Sequence, residues 1–220
     1  MTIMHHLDDA TTLRYASGDL DEAFCLVVAS HLAMCASCRN EVRLAEEVGG
    51  ELFVENESAE LSSGMFDRLM TAVENPDNNI PQTRPTDTIR QNGDVPLPLQ
   101  RLLGPSIADI RWRSIAPGVK RRTVDLPSKS NSSLYLLNIA PGKAMPEHGH
   151  GGKEMTLVLS GAYRDALGRF GPGDIADLDE HVEHQPVVEA GSPCICLVAT
   201  EAPTRFKGLF GRILQPIVGI

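Results

Sequence analysis

The chain has no apolar run of the roughly 20 residues that a membrane-spanning helix needs. Its first ten residues, MTIMHHLDDA, are acidic and contain no apolar segment, so they lack the features of a signal peptide. At 42% hydrophobic and 22% charged, the 220 residues have the composition of a globular protein with one large domain or two small ones. We therefore expect a cytoplasmic protein that does not contact the membrane.

Lysine is absent from the first 75 residues. This segment holds four arginines against fourteen acidic residues, a net charge of −10, whereas the remaining residues hold 16 basic and 15 acidic groups. All of the excess negative charge therefore lies in the first third of the chain. Such a segment repels nucleic acid and complements a basic protein surface, although a merely solvated acidic face has the same composition.

A disulfide framework is not expected either, because the five cysteines are an odd number and the chain has no export signal. Cys35 and Cys38 form a C-x-x-C pair close to a histidine, which favours thiols that bind metal. Cys194 and Cys196 alternate along a predicted strand and face the same side. A disulfide between them would be strained, so they are interpreted as small apolar strand residues.

Hydrophobic periodicity and capping residues predict about four helices in residues 7–73. They are predicted to run from Asp8 or Asp9 to Gly18, from Asp19 or Asp21 to Cys35, from about Cys38 to Val48 or beyond, and over 58–73. The last helix carries an apolar stripe, made of Leu61, Met65, Phe66, Leu69, Met70 and Val73. This stripe either completes a small helical core or lies against a partner protein.

The composition then changes to asparagine, proline, aspartate and threonine, which predicts a linker over 76–98. We place the domain boundary there, with a helical domain over 1–75 and a β domain over 99–220. Short apolar runs separated by Gly and Pro turns predict the strands of a barrel or sandwich. They cover 110–115, 119–124, 134–139, 155–159 and 194–199, and the apolar tail 205–220 either returns to the sheet or covers an edge.

The first candidate metal site is His31-x3-Cys35-x2-Cys38. Residues i and i+4 share a helix face, so His31 and Cys35 converge and Cys38 follows within reach. Two thiolates and an imidazole are typical of a structural zinc site, with His5, His6 or Cys25 as the fourth ligand. The alternative is a buried cysteine pair beside an incidental histidine.

The second candidate is His148-x-His150-x3-Glu154, preceded by Gly142 and followed by Gly161. Alternate strand residues share a face, so both imidazoles can point at one ion, and Glu154 can join them from the start of the next strand. Such ligands suit zinc first, with iron or manganese as alternatives. His181 or His184 would supply the fourth ligand, and two solvated histidines in a surface turn are the alternative. Glu147 faces the other side of its strand and is left out.

These residues carry a resemblance to known families. Gly142-x5-His148-x-His150-x3-Glu154-x6-Gly161 resembles the first cupin motif, and Gly173-Asp174 with His184 resembles a degraded second motif. The segments HHLDDA, SHLAMCASCR, HGHGGKEMTLVLSGAYRD and CICLVATEAP resemble the ChrR family of zinc-binding anti-sigma factors over nearly the whole chain. The resemblance implies a two-domain α + β protein, in which a small zinc-stapled bundle of about four helices precedes an antiparallel β-barrel or sandwich of cupin type.

The resemblance also implies roles for individual residues. It selects His6, with His31, Cys35 and Cys38, as the N-terminal zinc ligands. It selects His184, with His148, His150 and Glu154, as the ligands of a second divalent metal in the cupin. In the family the N-terminal domain sequesters an extracytoplasmic-function sigma factor, and the cupin receives singlet oxygen or an organic hydroperoxide as the signal.

We therefore expect an anti-sigma factor that is not an enzyme and binds no nucleic acid directly. A cupin metalloenzyme, either a dioxygenase or an isomerase, is the main alternative, because the cupin motif alone does not fix function. A metal- or ligand-binding module without a sigma partner is the third. The N-terminal His-x3-Cys-x2-Cys helix separates these hypotheses, since a metalloenzyme has no need of it.

Overall fold

Five α-helices precede the β structure. The computed structural model describes residues 2–75, 93–127 and 131–206. Within them the helices are α1 (Asp9–Ala16), α2 (Glu22–Met34), α3 (Ala36–Val54), α4 (Met65–Glu74) and α5 (Leu97–Leu103). Asp8 and Asp21 cap α1 and α2, because each side chain accepts a hydrogen bond from a backbone N–H of the first turn.

The structure decides one helix boundary that the sequence left open and corrects another. The third helix, predicted to reach Val48 or beyond, continues through Gly49-Gly50 to Val54. The fourth begins at Met65 instead of residue 58, because Gly64 has a φ of 73°, a left-handed conformation in which the preceding turn cannot remain helical. Leu61 therefore lies outside α4.

The sequence did not predict α5. Pro96 and Pro98 were interpreted as linker residues, yet Pro96 is the N-cap and Pro98 lies in the first turn of a helix. Proline is favoured at a helix start because the N–H that it lacks has no partner inside the helix. The helix packs on α2 and buries Leu99 completely. The rest of the predicted linker, 76–92, lies outside the described residues.

Twelve β-strands follow in the described part of the chain: β1 (Arg113–Ala116), β2 (Val119–Thr123), β3 (Ser133–Ile139), β4 (His148–Gly149), β5 (Glu154–Ser160), β6 (Tyr163–Asp165), β7 (Gly168–Phe170), β8 (Ile175–Leu178), β9 (Glu183–His184), β10 (Val187–Val188), β11 (Cys194–Thr200) and β12 (Arg205–Phe206). An antiparallel six-stranded sheet has the order β1-β2-β3-β11-β5-β8, and two smaller sheets have the orders β10-β6-β7 and β12-β4-β9. The five predicted strands correspond to β1, β2, β3, β5 and β11, and the predicted sandwich is confirmed. The start of the apolar tail pairs with β4 as β12, and residues 207–220 lie outside the described residues.

The central strands of the six-stranded sheet are buried on both faces, which explains why six of the seven residues of β11 are apolar. Alternate residues of each strand point to opposite faces. One face, including Leu136, Leu157 and Leu197, packs toward the helices, and the other, including Leu137, Cys196 and Val198, packs toward the smaller sheets. The molecule thus has three layers, with the large sheet in the middle.

Helix α2 joins the helical region to the sheet. Its Ala23, Val27 and Val28 are fully buried and belong to one continuous core with Leu136 and Leu157 of the sheet. Burial of such a side chain contributes roughly 1.5–3 kcal/mol each. The helices therefore share their core with the cupin sheet. No single helix among the described residues is long and apolar enough to cross a membrane.

Candidate metal centres

The N-terminal cluster brings together four residues from three segments. His6 precedes α1, His31 lies in the last turn of α2, Cys35 separates α2 from α3, and Cys38 lies in the first turn of α3. One ligand atom from each lies within 4.8 Å of the others. The chain bends by 119° between α2 and α3, and this bend turns both cysteines toward the histidines. The structure thus assembles the four residues that the sequence and the resemblance indicate.

The distances in this cluster fit a zinc ion. His6 Nδ1 lies 3.3 Å from Cys35 Sγ and 3.4 Å from Cys38 Sγ. Tetrahedral zinc, with Zn–S bonds of 2.3 Å and Zn–N bonds of 2.0–2.1 Å, places such atoms about 3.6 Å apart. The donor set and its spacing therefore match a site that could hold zinc.

His31 is oriented for coordination by a hydrogen bond to the β domain. Its Nδ1 lies 2.8 Å from the carbonyl oxygen of Gly173, so Nδ1 must carry the proton and Nε2 keeps a free lone pair. The Nε2 atom is buried and has no hydrogen-bond partner in the structure. Burial lowers the pKa of His31, which keeps the ring neutral. A buried neutral imidazole with one bonded and one unpartnered nitrogen is typical of a metal ligand.

The two other residues weighed as fourth ligand lie outside the cluster. His5 stacks on Phe170 with ring centroids 4.0 Å apart, and its Nδ1 lies 3.7 Å from Asp174. The Cys25 thiol contacts the carbonyl oxygen of Leu20.

Burial raises the pKa of the Cys38 thiol to about 12, an effect that the neighbouring Cys35 reinforces. Without a cation this thiol keeps its proton at neutral pH.

The second cluster lies in the β domain and consists of His148, His150, Glu154 and His184, again with ligand atoms within 4.8 Å of one another. Antiparallel pairing of β4 with β9 sets His148 directly opposite His184. All four residues are buried. His181 is exposed in the preceding turn, and Glu147 is not among the four.

Two of these rings are oriented so that their Nε2 atoms face each other. His148 Nδ1 donates to the carbonyl oxygen of Pro146 at 2.8 Å, and His184 Nδ1 donates to Asp165 at 2.8 Å. Their Nε2 atoms then both present lone pairs, and they lie 3.1 Å apart. Burial lowers the pKa of His148 and disfavours a proton there. Two facing lone pairs at this distance are stabilised by a shared metal ion, and tetrahedral ligands at 2.05 Å would lie about 3.3 Å apart.

A cavity of about 60 Å³ borders the second cluster. Its wall is mostly apolar and includes Leu137, Met145 and Val198. The hydroxyl of Tyr163, also in the wall, is buried without a hydrogen-bond partner in the structure. The cavity holds a few water molecules or a small ligand beside the cluster.

The sulfur atoms of Cys194 and Cys196 lie 3.6 Å apart on the same side of β11, as the sequence predicts, and both are buried free thiols. The hydrogen bond with Cys194 and burial raise the pKa of the Cys196 thiol well above its usual value. Both side chains line the inner core, and Cys196 also contributes to the cavity wall. Neither belongs to a group of residues that could hold a metal in the described part of the chain.

The predicted partner-binding stripe is exposed. All residues of α4 are exposed, including Phe66 and Leu69, and so is Leu61 ahead of the helix. Of the two alternatives for this stripe, completion of the helical core is therefore not realised.

Sequence reasoning missed three supporting groups: Asp165 beside His184, the Gly173 carbonyl beside His31, and Asp174 beside the N-terminal segment. The Gly173-Asp174 pair was visible as a turn in the sequence. No pattern in the sequence indicates the contacts that this pair makes with residues 142 or more positions away.

Comparisons with known proteins agree with this architecture. A family model described as the ChrR cupin-like domain matches residues 103–203. The anti-sigma-E factor ChrR of Cereibacter sphaeroides is 43% identical over 220 residues, which cover 100% of both chains. A chain in the crystal structure of Rhodobacter sphaeroides SigE in complex with the anti-sigma ChrR has a TM-score of 0.76 and 40% identity, covering 90% of this chain and 99% of that one. The chain therefore belongs to the ChrR family of anti-sigma factors.

Proposed function

We propose that this chain sequesters an extracytoplasmic-function sigma factor through residues 1–75 and releases it when the cupin domain receives an oxidative signal. The proposal divides the chain into the helical domain, a linker over 76–98 and a cupin domain over 99–220. The observation that carries it is an unpaired apolar surface on the helices.

This surface, called the α3–α4 surface below, comprises Leu44, Val48, Leu52, Phe53, Val54, Leu61, Met65, Phe66, Leu69, Met70 and Val73. These are eleven of the sixteen exposed large apolar side chains in the described part of the chain. They lie between residues 44 and 73, on α3, on α4 and on the segment between them, so the exposure is concentrated in one stretch of the chain. A concentrated exposed apolar surface marks a protein-binding site.

The charge around the α3–α4 surface indicates the kind of partner. Residues 1–75 carry a net charge of −10. A sigma factor presents basic surfaces for DNA and polymerase, and an acidic helical region complements them. The exposed apolar residues would then supply affinity, and the acidic residues of the same segment would supply specificity and a fast association rate. The names of the relatives support the same partner, since ChrR is an anti-sigma-E factor and the solved complex pairs it with SigE.

We assign zinc to the N-terminal cluster of His6, His31, Cys35 and Cys38. Zinc bound there would tie the chain before α1 to the junction of α2 and α3, and so fix the angle at which α3 presents its apolar residues. We assign a second divalent ion, zinc first and iron or manganese as alternatives, to His148, His150, Glu154 and His184. Neutral imidazoles and a carboxylate accept each of these ions.

The cupin domain is proposed to receive singlet oxygen or an organic hydroperoxide. The support is chemical: the histidines of the second cluster are oxidisable, and a cavity borders this cluster. In this role the cupin domain senses and does not catalyse. We place the protein in the cytoplasm, where its partner acts.

A cupin metalloenzyme is the second candidate, because the cavity gives a small molecule access to the histidine cluster. This candidate would be favoured if the metal-loaded chain turned over a small oxidisable substrate at a rate that loss of sigma binding does not change.

The direct test of the first proposal is binding. The full chain, loaded with zinc, is mixed with the sigma factor that co-purifies from its own organism and, as a second probe, with Rhodobacter sphaeroides SigE. Calorimetry is expected to give a one-to-one complex. Absence of binding to both purified sigma factors at micromolar concentration would contradict the proposal.

A further inference from the structure

The cupin domain contacts one ligand of the N-terminal metal cluster directly and contacts the segment that carries a second ligand. The segment before α1, residues 3–6 and called the strap below, carries His6. A turn of the β domain, Gly171–Ile175 and called the cupin turn below, lies against both the strap and His31.

Asp174 anchors the strap. Its Oδ1 accepts hydrogen bonds from the backbone N–H of Met4 at 2.6 Å and of His5 at 2.9 Å, and its Oδ2 accepts one from Gly171 at 2.8 Å. The backbone N–H of Ile175 donates to the carbonyl oxygen of His5. Asp174 is 4% exposed, so its carboxylate meets these donors away from bulk water, where charge-assisted bonds are strong.

Gly173 holds His31. Its carbonyl oxygen accepts the Nδ1–H bond that fixes the tautomer of the ring. Its φ of 90° favours glycine, and a Cβ atom at this position would lie 2.6 Å from Cδ1 of Ile3. The close approach of the strap to the cupin turn therefore depends on the missing side chain.

The cupin turn is also connected to the second metal cluster. It runs directly into β8, and β8 pairs with β5 in a register that sets Leu178 opposite Glu154. Beside this pair, Lys153 contacts both Asp177 at 3.0 Å and Thr11 of α1 at 2.7 Å. A displacement of β5 or β8 would therefore reach the strap through rigid hydrogen-bonded elements.

We infer that the cupin turn is part of the N-terminal metal site, with Asp174 and the Gly173 carbonyl as positioning groups for His6 and His31. Partners of metal ligands fix the ring orientation and tautomer, and their loss typically weakens metal binding by 10–100-fold. The metal in the helical domain is thus held partly by the cupin domain. This inference depends on the metal assignment in the proposed function but not on the sigma factor.

The test follows metal release from the full chain loaded with Co²⁺. Thiolate ligands give cobalt an intense near-ultraviolet charge-transfer absorption, and among the two clusters only the N-terminal one contains cysteine. The decay of this band after addition of excess EDTA therefore reports the N-terminal site alone. Asp174→Asn keeps the shape of the side chain but replaces one acceptor oxygen with a donor, and it is expected to release cobalt at least tenfold faster.

Three further variants separate positioning from a general loss of stability. His5→Ala disturbs the strap from outside the cupin fold, and it is expected to speed release in the same direction even where Asp174→Asn does not fold. Val119→Ala opens a cavity in the core between the large sheet and the smaller sheets, and Glu189→Gln removes a surface carboxylate that pairs with Arg164 and Arg169. Both controls are expected to release cobalt within about twofold of the unaltered chain.

Thermal unfolding of every variant is measured alongside. The inference is supported if the strap and turn variants release cobalt faster than Val119→Ala does when the melting temperatures are equal. Release at the unaltered rate from folded His5→Ala and Asp174→Asn overturns it. So does an equal acceleration in Val119→Ala, since release would then follow overall stability. Sigma binding does not enter this measurement. A failure of the inference is therefore distinguishable from a failure of the proposed function.

Discussion

His31 Nδ1 donates a hydrogen bond of 2.8 Å to the carbonyl oxygen of Gly173, across 142 positions of sequence. The bond joins the helix that carries two candidate functions, metal binding and core packing, to a turn of the cupin sheet. The six-stranded sheet that follows this turn also supplies Glu154 to the second metal cluster, and the three histidines of that cluster lie in or beside the sheet β12-β4-β9. The helical and cupin domains are therefore physically continuous, which is the arrangement that a signal passing from one to the other requires.

The α3–α4 surface is expected to depend on Phe66, which is 68% exposed in the first turn of α4. Phe66→Asp places a charge in an apolar contact, so we expect affinity for the sigma factor to fall by at least about 2 kcal/mol, roughly 30-fold in Kd. Leu167→Asp is the matched control, since Leu167 is an exposed apolar residue at the β6–β7 turn of the cupin domain. Titration calorimetry compares the two, and equal affinity for both variants would contradict the assignment of this surface.

The N-terminal metal site is expected to distinguish its cysteines from Cys25. Cys38→Ser removes a thiolate from a cluster that joins the strap to α3, so zinc affinity should fall by more than 100-fold and sigma binding should weaken with it. Cys25→Ser changes a half-buried thiol outside the cluster and should retain one zinc at this site. Zinc content after dialysis against a weak chelator measures the difference. Retention of zinc by Cys38→Ser would show that the ligand set is wrong.

The second site is expected to distinguish its two candidate histidines. His184→Ala removes a buried ligand held by Asp165, whereas His181→Ala removes an exposed side chain. Only His184→Ala should lose the cupin metal, and only this variant should fail to release the sigma factor in the presence of organic hydroperoxide. Its affinity for the sigma factor without oxidant should stay within about threefold of that of the unaltered chain. Elemental analysis and a release assay check both points. Loss of the response in His181→Ala instead would reverse the assignment.

Zinc affinity at the N-terminal site is expected to rise with pH. Burial raises the pKa of the Cys38 thiol to about 12, so in the metal-free protein this thiol is protonated throughout the physiological range. Zinc must displace that proton, and each displaced proton increases the apparent affinity about tenfold per pH unit below the pKa. Competition with a chelator of known proton affinity between pH 6 and 8 measures the slope. A slope of zero would mean that Cys38 does not bind as a thiolate.

Much of the cupin site was predictable because its residues lie in a short, regular stretch. His148, His150 and Glu154 fall within seven positions. Strand alternation predicts that His148 and His150 share a side, and Glu154 follows at the start of the next strand. The apolar strands β3, β5 and β11 were predictable for a similar reason, since a sheet buried on both faces needs continuous apolar runs. The choice of His184 over His181 depended on pairing between β4 and β9, which local periodicity does not specify.

The contacts between the two domains were not predictable from local pattern. Residues 3–6 have no periodicity, and their position depends on a carboxylate at Asp174 and on the space left by Gly173. Helix α5 was missed because prolines that end one helix also begin another, and only packing against α2 decides between these outcomes. In α4 the left-handed Gly64 decided where the helix begins, against an apolar stripe that extended further.

The central claim, that the α3–α4 surface sequesters a sigma factor, is tested most directly by competition with core RNA polymerase. A fluorescently labelled sigma factor is first bound to core polymerase, and the zinc-loaded chain is then added while anisotropy is recorded. We predict that the unaltered chain and Leu167→Asp displace the sigma factor from polymerase at stoichiometric concentration and that Phe66→Asp does not. Displacement by Phe66→Asp as complete as by the unaltered chain, or none by any of the three, would contradict the account.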